Sequence, residues 1–239
     1  MQLGFRKMKS AVIVFPGSNR ERDLAQALEK ASGQKSTLIW HGDTELPKNI
    51  DLVCLPGGFS YGDYLRCGAI AARASIMDAV HAHVKRGGYV LGVCNGFQIL
   101  CESGLLPGVL QRNAGLHFIC RDVHLRVERA DTAFTSAYKK GDVIKVPVAH
   151  GEGNYTADAE TLKKLEANNQ ILFRYVDAQG KTDAHANVNG ASLNIAGIVD
   201  EKARVLGMMP HPENAIQTEQ GSIGGLKLFE SLTALKVAA

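Results

Sequence analysis

Residues 87–101 read GGYVLGVCNGFQILC. The two glycines predict a turn, the next five residues predict a short apolar strand, and the residues from Phe97 onward predict the start of a helix. Cys94 lies between Gly92 and Gly96 on this strand-to-helix turn, in the pattern of a nucleophile elbow. The start of the following helix favours a thiolate at this position. The stretch therefore predicts a reactive cysteine, and a small buried cysteine between loop glycines is the alternative.

Strand and helix patterns alternate through the first half of the chain. Short apolar runs and helically spaced apolar residues predict strands at residues 10–15, 36–40, 51–55 and 89–93, and helices at residues 21–31 and 70–85. This β-α-β order predicts an α/β fold with a mostly parallel sheet and helices on both faces. Reactive groups collect at the carboxyl ends of the strands in such sheets, and Cys94 lies at one of those ends.

The second half is less regular, and we interpret it as β insertions in the same domain. Its patterns predict strands at residues 121–129, 142–148, 171–175, 194–199 and 204–209, and helices at residues 158–168 and 222–235. One domain is expected over residues 8–239, since neither a repeat nor a linker interrupts the chain. Residues 1–7 precede the first strand pattern and lack a signal-peptide core, so we interpret them as an extension or a tag.

Composition excludes several classes of function. The formal net charge of +3 over 239 residues is too small to indicate nucleic-acid or membrane binding. The five cysteines are an odd number with no C-x-x-C pair, which argues against a disulfide framework or a zinc site. We therefore expect a cytoplasmic protein without a metal centre.

The base that a cysteine nucleophile needs must come from another part of the chain. His211 follows the apolar run at residues 204–209 and stands between two prolines, which fix the backbone at the end of a strand. Glu213 is near enough to orient the imidazole, as the third member of a catalytic triad does. A strand-end histidine beside a solvent-facing glutamate is the alternative, and His150 with Glu152 is a second candidate pair.

Acyl transfer to a thiolate builds negative charge on the former carbonyl oxygen, which two N–H groups can stabilise. The backbone N–H of Asn95, the residue after the nucleophile, is one candidate donor. Gly58 in the stretch PGGF at residues 56–59 is the other, because a glycine lets the backbone approach a ligand closely. A plain β-turn after a strand is the alternative for that stretch.

These motifs resemble the three signatures of class I, triad-type glutamine amidotransferases. Longer stretches are similar to the glutaminase subunits of phosphoribosylformylglycinamidine synthase, an enzyme of purine biosynthesis, at residues 56–68, 92–100 and 147–154. The similarity extends from about residue 9 to residue 235. The fold that it implies is a flavodoxin-like α/β sheet.

The resemblance implies a role for each candidate residue. Cys94 attacks the side-chain amide of glutamine and forms a glutamyl thioester. His211 protonates the departing ammonia and then activates water, while Glu213 orients His211. Gly58 and Asn95 hold the oxyanion.

The resemblance also implies that Gln98 helps to hold the glutamine, although a helix residue facing solvent is the alternative. Two positions depart from the pattern of many relatives. Asn214 replaces an arginine, and Arg20 occupies a place where a small residue or a cysteine is common. Neither position belongs to the triad.

The chain lacks a G-x-x-x-x-G-K-[ST] phosphate loop for binding ATP. The resemblance therefore implies that other subunits carry out the ATP-dependent step. We expect no cofactor on this chain. A separate large synthetase subunit is expected to use ATP and Mg²⁺ to convert formylglycinamide ribonucleotide to formylglycinamidine ribonucleotide with the ammonia. A small adaptor subunit is expected to join the complex.

Three other functions remain as alternatives. Another cysteine hydrolase on a similar sheet usually has its histidine soon after the cysteine, whereas here His117 is the first histidine after Cys94. The second alternative is an amidotransferase of another pathway, against which the stretches at residues 59–68 and 150–153 argue. A binding protein that keeps the fold is the third, and the intact cysteine, histidine and glutamate set argues against it.

Overall fold

The computed structural model describes residues 5–234 and 237–238. Its helices are α1 (Glu21–Ser32), α2 (Ile76–Lys85), α3 (Asn95–Glu102), α4 (Ala159–Ala167) and α5 (Leu226–Thr233). Its strands are β1 (Phe5–Arg6), β2 (Ser10–Val14), β3 (Thr37–Trp40), β4 (Leu52–Leu55), β5 (Tyr89–Val93), β6 (Val109–Gln111), β7 (Ile119–Val127), β8 (Val143–His150), β9 (Asn154–Thr156), β10 (Ile171–Val176), β11 (Ile195–Val199), β12 (Val205–Met208) and β13 (Val237–Ala238).

One nine-stranded sheet organises the chain, in the order β3-β2-β4-β5-β12-β11-β10-β7-β8. The strands from β3 to β12 pair in parallel. Counted along the chain, these five strands have the order 2-1-3-4-5, which is the flavodoxin-like arrangement. The buried, apolar strands β4, β11 and β12 form the centre of the core. The expected α/β fold is confirmed.

The second half of the chain extends this sheet with antiparallel strands, from β12 through β11, β10 and β7 to β8. Three strands separate β8 from β12, yet the N–H of His211 donates to the carbonyl of Pro147 in β8 at 2.8 Å. The antiparallel half therefore curls back until β8 lies beside the chain that leaves β12. These β insertions form one wall of the site described below.

The helices form where the local sequence supports them. In α1 the buried residues Leu24, Ala27 and Leu28 recur at helical spacing, and Gly33 ends the helix in a left-handed conformation with φ 68°. At the start of α4 the side chain of Asp158 accepts a hydrogen bond from the N–H of Thr161 at 2.8 Å. No helix among the described residues is long and apolar enough to span a membrane.

Two predicted helices differ from the structure, and one pair of strands was not predicted. The helix expected over residues 70–85 is broken, because Ala74 is extended with ψ 148° after a 3₁₀ turn. The N–H of Ile76 bonds to the carbonyl of His41, and this long-range contact has no trace in the apolar spacing. The helix expected over residues 222–235 begins at Leu226, and position 235 is outside the described residues. The paired strands β6 and β9 were not predicted, since three residues are too few to show alternation.

The chain ends also pair within the described residues. Strands β1 and β13 are antiparallel, with Phe5 opposite Ala238. Residues 1–4 of the predicted extension are outside the described residues.

Helix α3 packs very closely on the sheet. A β-carbon built on Gly96 would lie 2.0 Å from the carbonyl oxygen of Leu55, the last residue of β4. Only a glycine permits this approach. The contact seats the first turn of α3 over the carboxyl end of β4, which positions the residue before the helix.

Candidate active site

Cys94 occupies the turn between β5 and α3. Its backbone is held at φ 52° and ψ −107°, a conformation that non-glycine residues rarely adopt. The N–H of Cys94 donates to the carbonyl of Met208 in β12 at 2.8 Å, and the helix contact of Gly96 fixes the other side. The surrounding structure thus supports a strained turn, as a nucleophile elbow requires.

His211 and Glu213 follow β12, at the same edge of the sheet. The Nδ1 atom of His211 donates to Oε1 of Glu213 at 2.7 Å, and both side chains are buried. The Nε2 atom of His211 has no hydrogen-bond partner among the described residues. His211 and Cys94 line the same cleft, so this nitrogen is available to the sulfur and to a substrate.

The electrostatics of the site favour a charged His211. Burial lowers the pKa of His211, but the Glu213 carboxylate and the Cys94 sulfur outweigh burial and raise that pKa to about 10. The imidazole is therefore protonated at neutral pH beside a sulfur that can carry negative charge. An imidazolium in this place can donate a proton to a leaving group.

The two predicted oxyanion donors are Gly58, which shares the cleft with Cys94, and Asn95, which follows Cys94 in the chain. Gly58 lines the cleft and has φ 142°, and a β-carbon on it would lie 2.7 Å from the carbonyl oxygen of Gly17. Asn95 is the first residue of α3, where the backbone N–H has no partner within the helix. Neither of these N–H groups donates to another described residue. Both can hydrogen-bond a ligand oxygen.

Gln98 lines the cleft, but the protein itself holds both ends of its side chain. Its Nε2 atom donates to the carbonyl of Glu152 at 2.7 Å, and its Oε1 atom accepts from Nδ2 of Asn95 at 2.8 Å. The Gln98 side chain therefore links α3 to the loop after β8. A direct contact of Gln98 with glutamine stays a prediction.

The cleft has a volume of about 400 Å³. Among the charged or aromatic residues that line it, Arg20, Asp63 and Phe118 received no site role from the sequence. Arg20 forms an ion pair with Asp23 at 2.9 Å at the start of α1. The three residues come from separate loops, so no local pattern connects them. No group of three His, Cys, Asp or Glu side chains suited to a metal ion occurs in the part of the chain that the structure describes.

The structure does not pair His150 with Glu152. The buried His150 ring bonds through Nδ1 to Oδ1 of Asn113 at 3.1 Å, and its Nε2 atom faces Nδ2 of Asn189 at 3.5 Å. The Glu152 carboxylate instead lies 3.7 Å from Arg112. His150 therefore belongs to a buried amide network.

The His150 network predicts a pH-dependent stability. Burial and the nearby His211 lower the pKa of His150 from 6.5 to about 4. Between these values the unfolded chain binds a proton that the folded chain does not, so the free energy of unfolding falls as the pH falls. The shift corresponds to roughly 3 kcal/mol across that window.

Urea unfolding followed by circular dichroism between pH 7 and pH 4.5 measures this effect. We expect His150→Gln to lose less stability on acidification than the wild type. The exposed His81→Gln serves as the control and should follow the wild type. Identical acid sensitivity of the His150 variant and the wild type would contradict the assignment.

Comparison with known proteins defines the class first. Residues 7–230 match the family model of the CobB/CobQ-like glutamine amidotransferase domain. A glutamine amidotransferase from Thermotoga maritima, 15% identical, shares the fold with a TM-score of 0.61 over 96% of this chain and 100% of that chain. The family match over residues 7–230 places the chain among the glutamine amidotransferases.

The relatives narrow this class to one family. Phosphoribosylformylglycinamidine synthase subunit PurQ of Rhodopseudomonas palustris (strain BisB18) is 65% identical over 94% of this chain and 97% of its own length. The PurQ subunit of Cereibacter sphaeroides is 57% identical over 94% of this chain and 97% of its own length. A solved structure of PurLQS from Thermotoga maritima contains a chain 42% identical, with a TM-score of 0.83 over 95% of this chain and 98% of that chain. This chain belongs to the PurQ family, which confirms the resemblance seen in the sequence.

Proposed function

We propose that a single domain over residues 8–239 hydrolyses glutamine through a thioester on Cys94 and supplies the ammonia for formylglycinamidine ribonucleotide synthesis. One observation carries this proposal. The strained Cys94 turn and His211 line one cleft, and the buried Glu213 holds the His211 ring through a 2.7 Å hydrogen bond.

The proposed reaction has two halves. The Cys94 sulfur attacks the side-chain amide carbon of glutamine, and the N–H groups of Gly58 and Asn95 stabilise the oxyanion. His211 gives a proton to the leaving nitrogen, which departs as ammonia and leaves a glutamyl thioester. His211 then takes a proton from water, and the hydroxide attacks the thioester carbon. The C–S bond breaks, which releases glutamate and restores Cys94. Glu213 keeps the His211 ring oriented throughout.

The ammonia is consumed by a partner in this proposal. The relatives are named as subunits of phosphoribosylformylglycinamidine synthase, and PurLQS contains a similar chain. We assign the use of ATP and Mg²⁺ to a large synthetase subunit, joined by a small adaptor subunit, in the cytoplasm.

The surface around the cleft fits such an assembly. Large apolar side chains are exposed on the loops that border the cleft, at Phe59, Tyr64, Leu65, Leu116 and Phe118. Apolar side chains gathered in one exposed patch mark protein-binding surfaces. We place the synthetase on this rim, where it can receive ammonia at the mouth of the cleft.

The test is glutamate release from glutamine by the chain alone and with the matching synthetase and adaptor subunits. We expect release to rise when the partners, formylglycinamide ribonucleotide and Mg²⁺-ATP are added, because docking and substrate binding close the site. Formation of formylglycinamidine ribonucleotide in step with glutamate would support the ammonia supply. If the full complex released no glutamate, the assignment would be wrong.

A further inference from the structure

Two carboxylates from distant parts of the chain line the cleft that contains Cys94. Asp63 follows β4, and Glu152 follows β8. The side-chain amides of Asn95 and Gln98 connect the two residues. Asn95 donates to Oδ1 of Asp63 at 3.3 Å and to Oε1 of Gln98 at 2.8 Å. Gln98 in turn donates to the backbone carbonyl of Glu152 at 2.7 Å. Helix α3 therefore positions the nucleophile and both acidic residues together.

The backbone that presents Asp63 is strained. Tyr61, Gly62 and Asp63 have φ values of 54°, 76° and 53°, three consecutive residues in the left-handed region. The N–H of Ser60 donates to Oδ1 of Asn95 at 3.1 Å, which anchors this segment to α3. Strain of this kind persists where the surrounding structure enforces it, and it concentrates at binding and catalytic sites.

The cations that line the cleft are paired with other carboxylates, since His211 bonds to Glu213 and Arg20 bonds to Asp23. Burial and the neighbouring Glu152 raise the pKa of Asp63. Burial and the neighbouring Asp63 and Glu152 carboxylates raise the pKa of the Cys67 thiol, so this thiol stays neutral. Among the described residues that line the cleft, Arg20 is the one arginine or lysine, and it pairs with Asp23. The exposed side chain of Arg112 lies 3.7 Å from the Glu152 carboxylate but does not line the cleft.

We propose that Asp63 and Glu152 bind the α-ammonium group of glutamine and so select an amino acid over other amides. This inference rests on the glutaminase function proposed above. Only four covalent bonds separate the reacting amide carbon of glutamine from its ammonium nitrogen, so both lie within one cleft. The buried, unpartnered Nε2 atom of His211 marks where the amide binds in that cleft. Charge-assisted hydrogen bonds from an ammonium satisfy both carboxylates.

The test compares glutamine with glutaramate, which has the same amide and carboxylate but no ammonium group. Steady-state glutamate or glutarate release is measured with the reconstituted complex for the wild type, Asp63→Asn and Glu152→Gln. Each substitution removes a charge and keeps the shape, and asparagine tolerates the left-handed backbone of position 63. We expect KM for glutamine to rise about tenfold to a hundredfold in each variant, with little change in kcat.

The ratio of kcat/KM for glutamine to that for glutaramate decides the question. This ratio should fall towards one in both variants and stay at the wild-type value in the control Asp78→Asn, an exposed position on α2. If kcat/KM fell equally for glutamine and glutaramate in both variants, the ratio would be unchanged and the inference would be overturned. Absence of any Cys94-dependent hydrolysis by the wild-type complex would instead overturn the proposed function and the inference with it.

Discussion

Replacement of Cys94 with alanine is expected to abolish glutamate release, with kcat reduced by at least about 10⁴-fold. The thioester requires a sulfur at the carboxyl end of β5, and the buried residues beside it offer no second nucleophile in the same strained turn. The measurement is glutamate formation by the reconstituted complex at saturating glutamine. The variant complex should still make formylglycinamidine ribonucleotide when ammonium chloride replaces glutamine, because only the ammonia source has been removed.

The ammonia-dependent reaction separates loss of chemistry from loss of folding or assembly. Cys120→Ala is the matched control, since Cys120 is an exposed free cysteine. It should retain full glutamine-dependent activity. Glutamate release by Cys94→Ala at the wild-type rate would refute the thioester mechanism. Failure of the ammonia-dependent reaction in Cys94→Ala would indicate a disrupted complex. The same two reactions would then be measured with Cys94→Ser, which removes the sulfur and nearly keeps the side-chain size.

Replacement of Glu213 with glutamine is expected to lower kcat by about 10²- to 10⁴-fold. The amide oxygen of the new side chain can still accept the Nδ1–H bond of His211 that the carboxylate accepts at 2.7 Å. The geometry should therefore persist, while the negative charge that raises the pKa of His211 is lost. The protonated imidazole, which gives its proton to ammonia, becomes less stable.

The dependence of activity on pH tests whether Glu213 raises the pKa of His211. Activity that needs a protonated His211 is lost as the pH rises through the pKa of that group. This alkaline limb should move to lower pH in Glu213→Gln, because the raised pKa depends on the carboxylate. The profile of kcat/KM against pH measures the shift, with the exposed Glu219→Gln as control. An unchanged alkaline limb together with full activity would show that Glu213 does not act on His211.

Much of the fold follows from local sequence. Apolar runs mark the parallel strands, and the helical spacing of Leu24, Ala27 and Leu28 marks α1. The same reasoning fails for the helix expected over residues 70–85. The break at Ala74 is stabilised by a bond from Ile76 to the carbonyl of His41, far away in the sequence. Apolar spacing reports which face of an element is buried but not which distant group satisfies its backbone.

The sequence by itself determined the alternation of elements, the glycine-flanked turn at Cys94 and the proline-framed end of β12 that bears His211. These features depend on backbone sterics and on the periodicity of apolar residues, and both act over a few residues. Only the tertiary structure decided that β8 curls back to the chain that leaves β12, that His150 binds amides rather than Glu152, and that Asp63 and Glu152 share one cleft with the nucleophile. These outcomes depend on contacts between residues far apart in the chain, and no local pattern encodes such contacts.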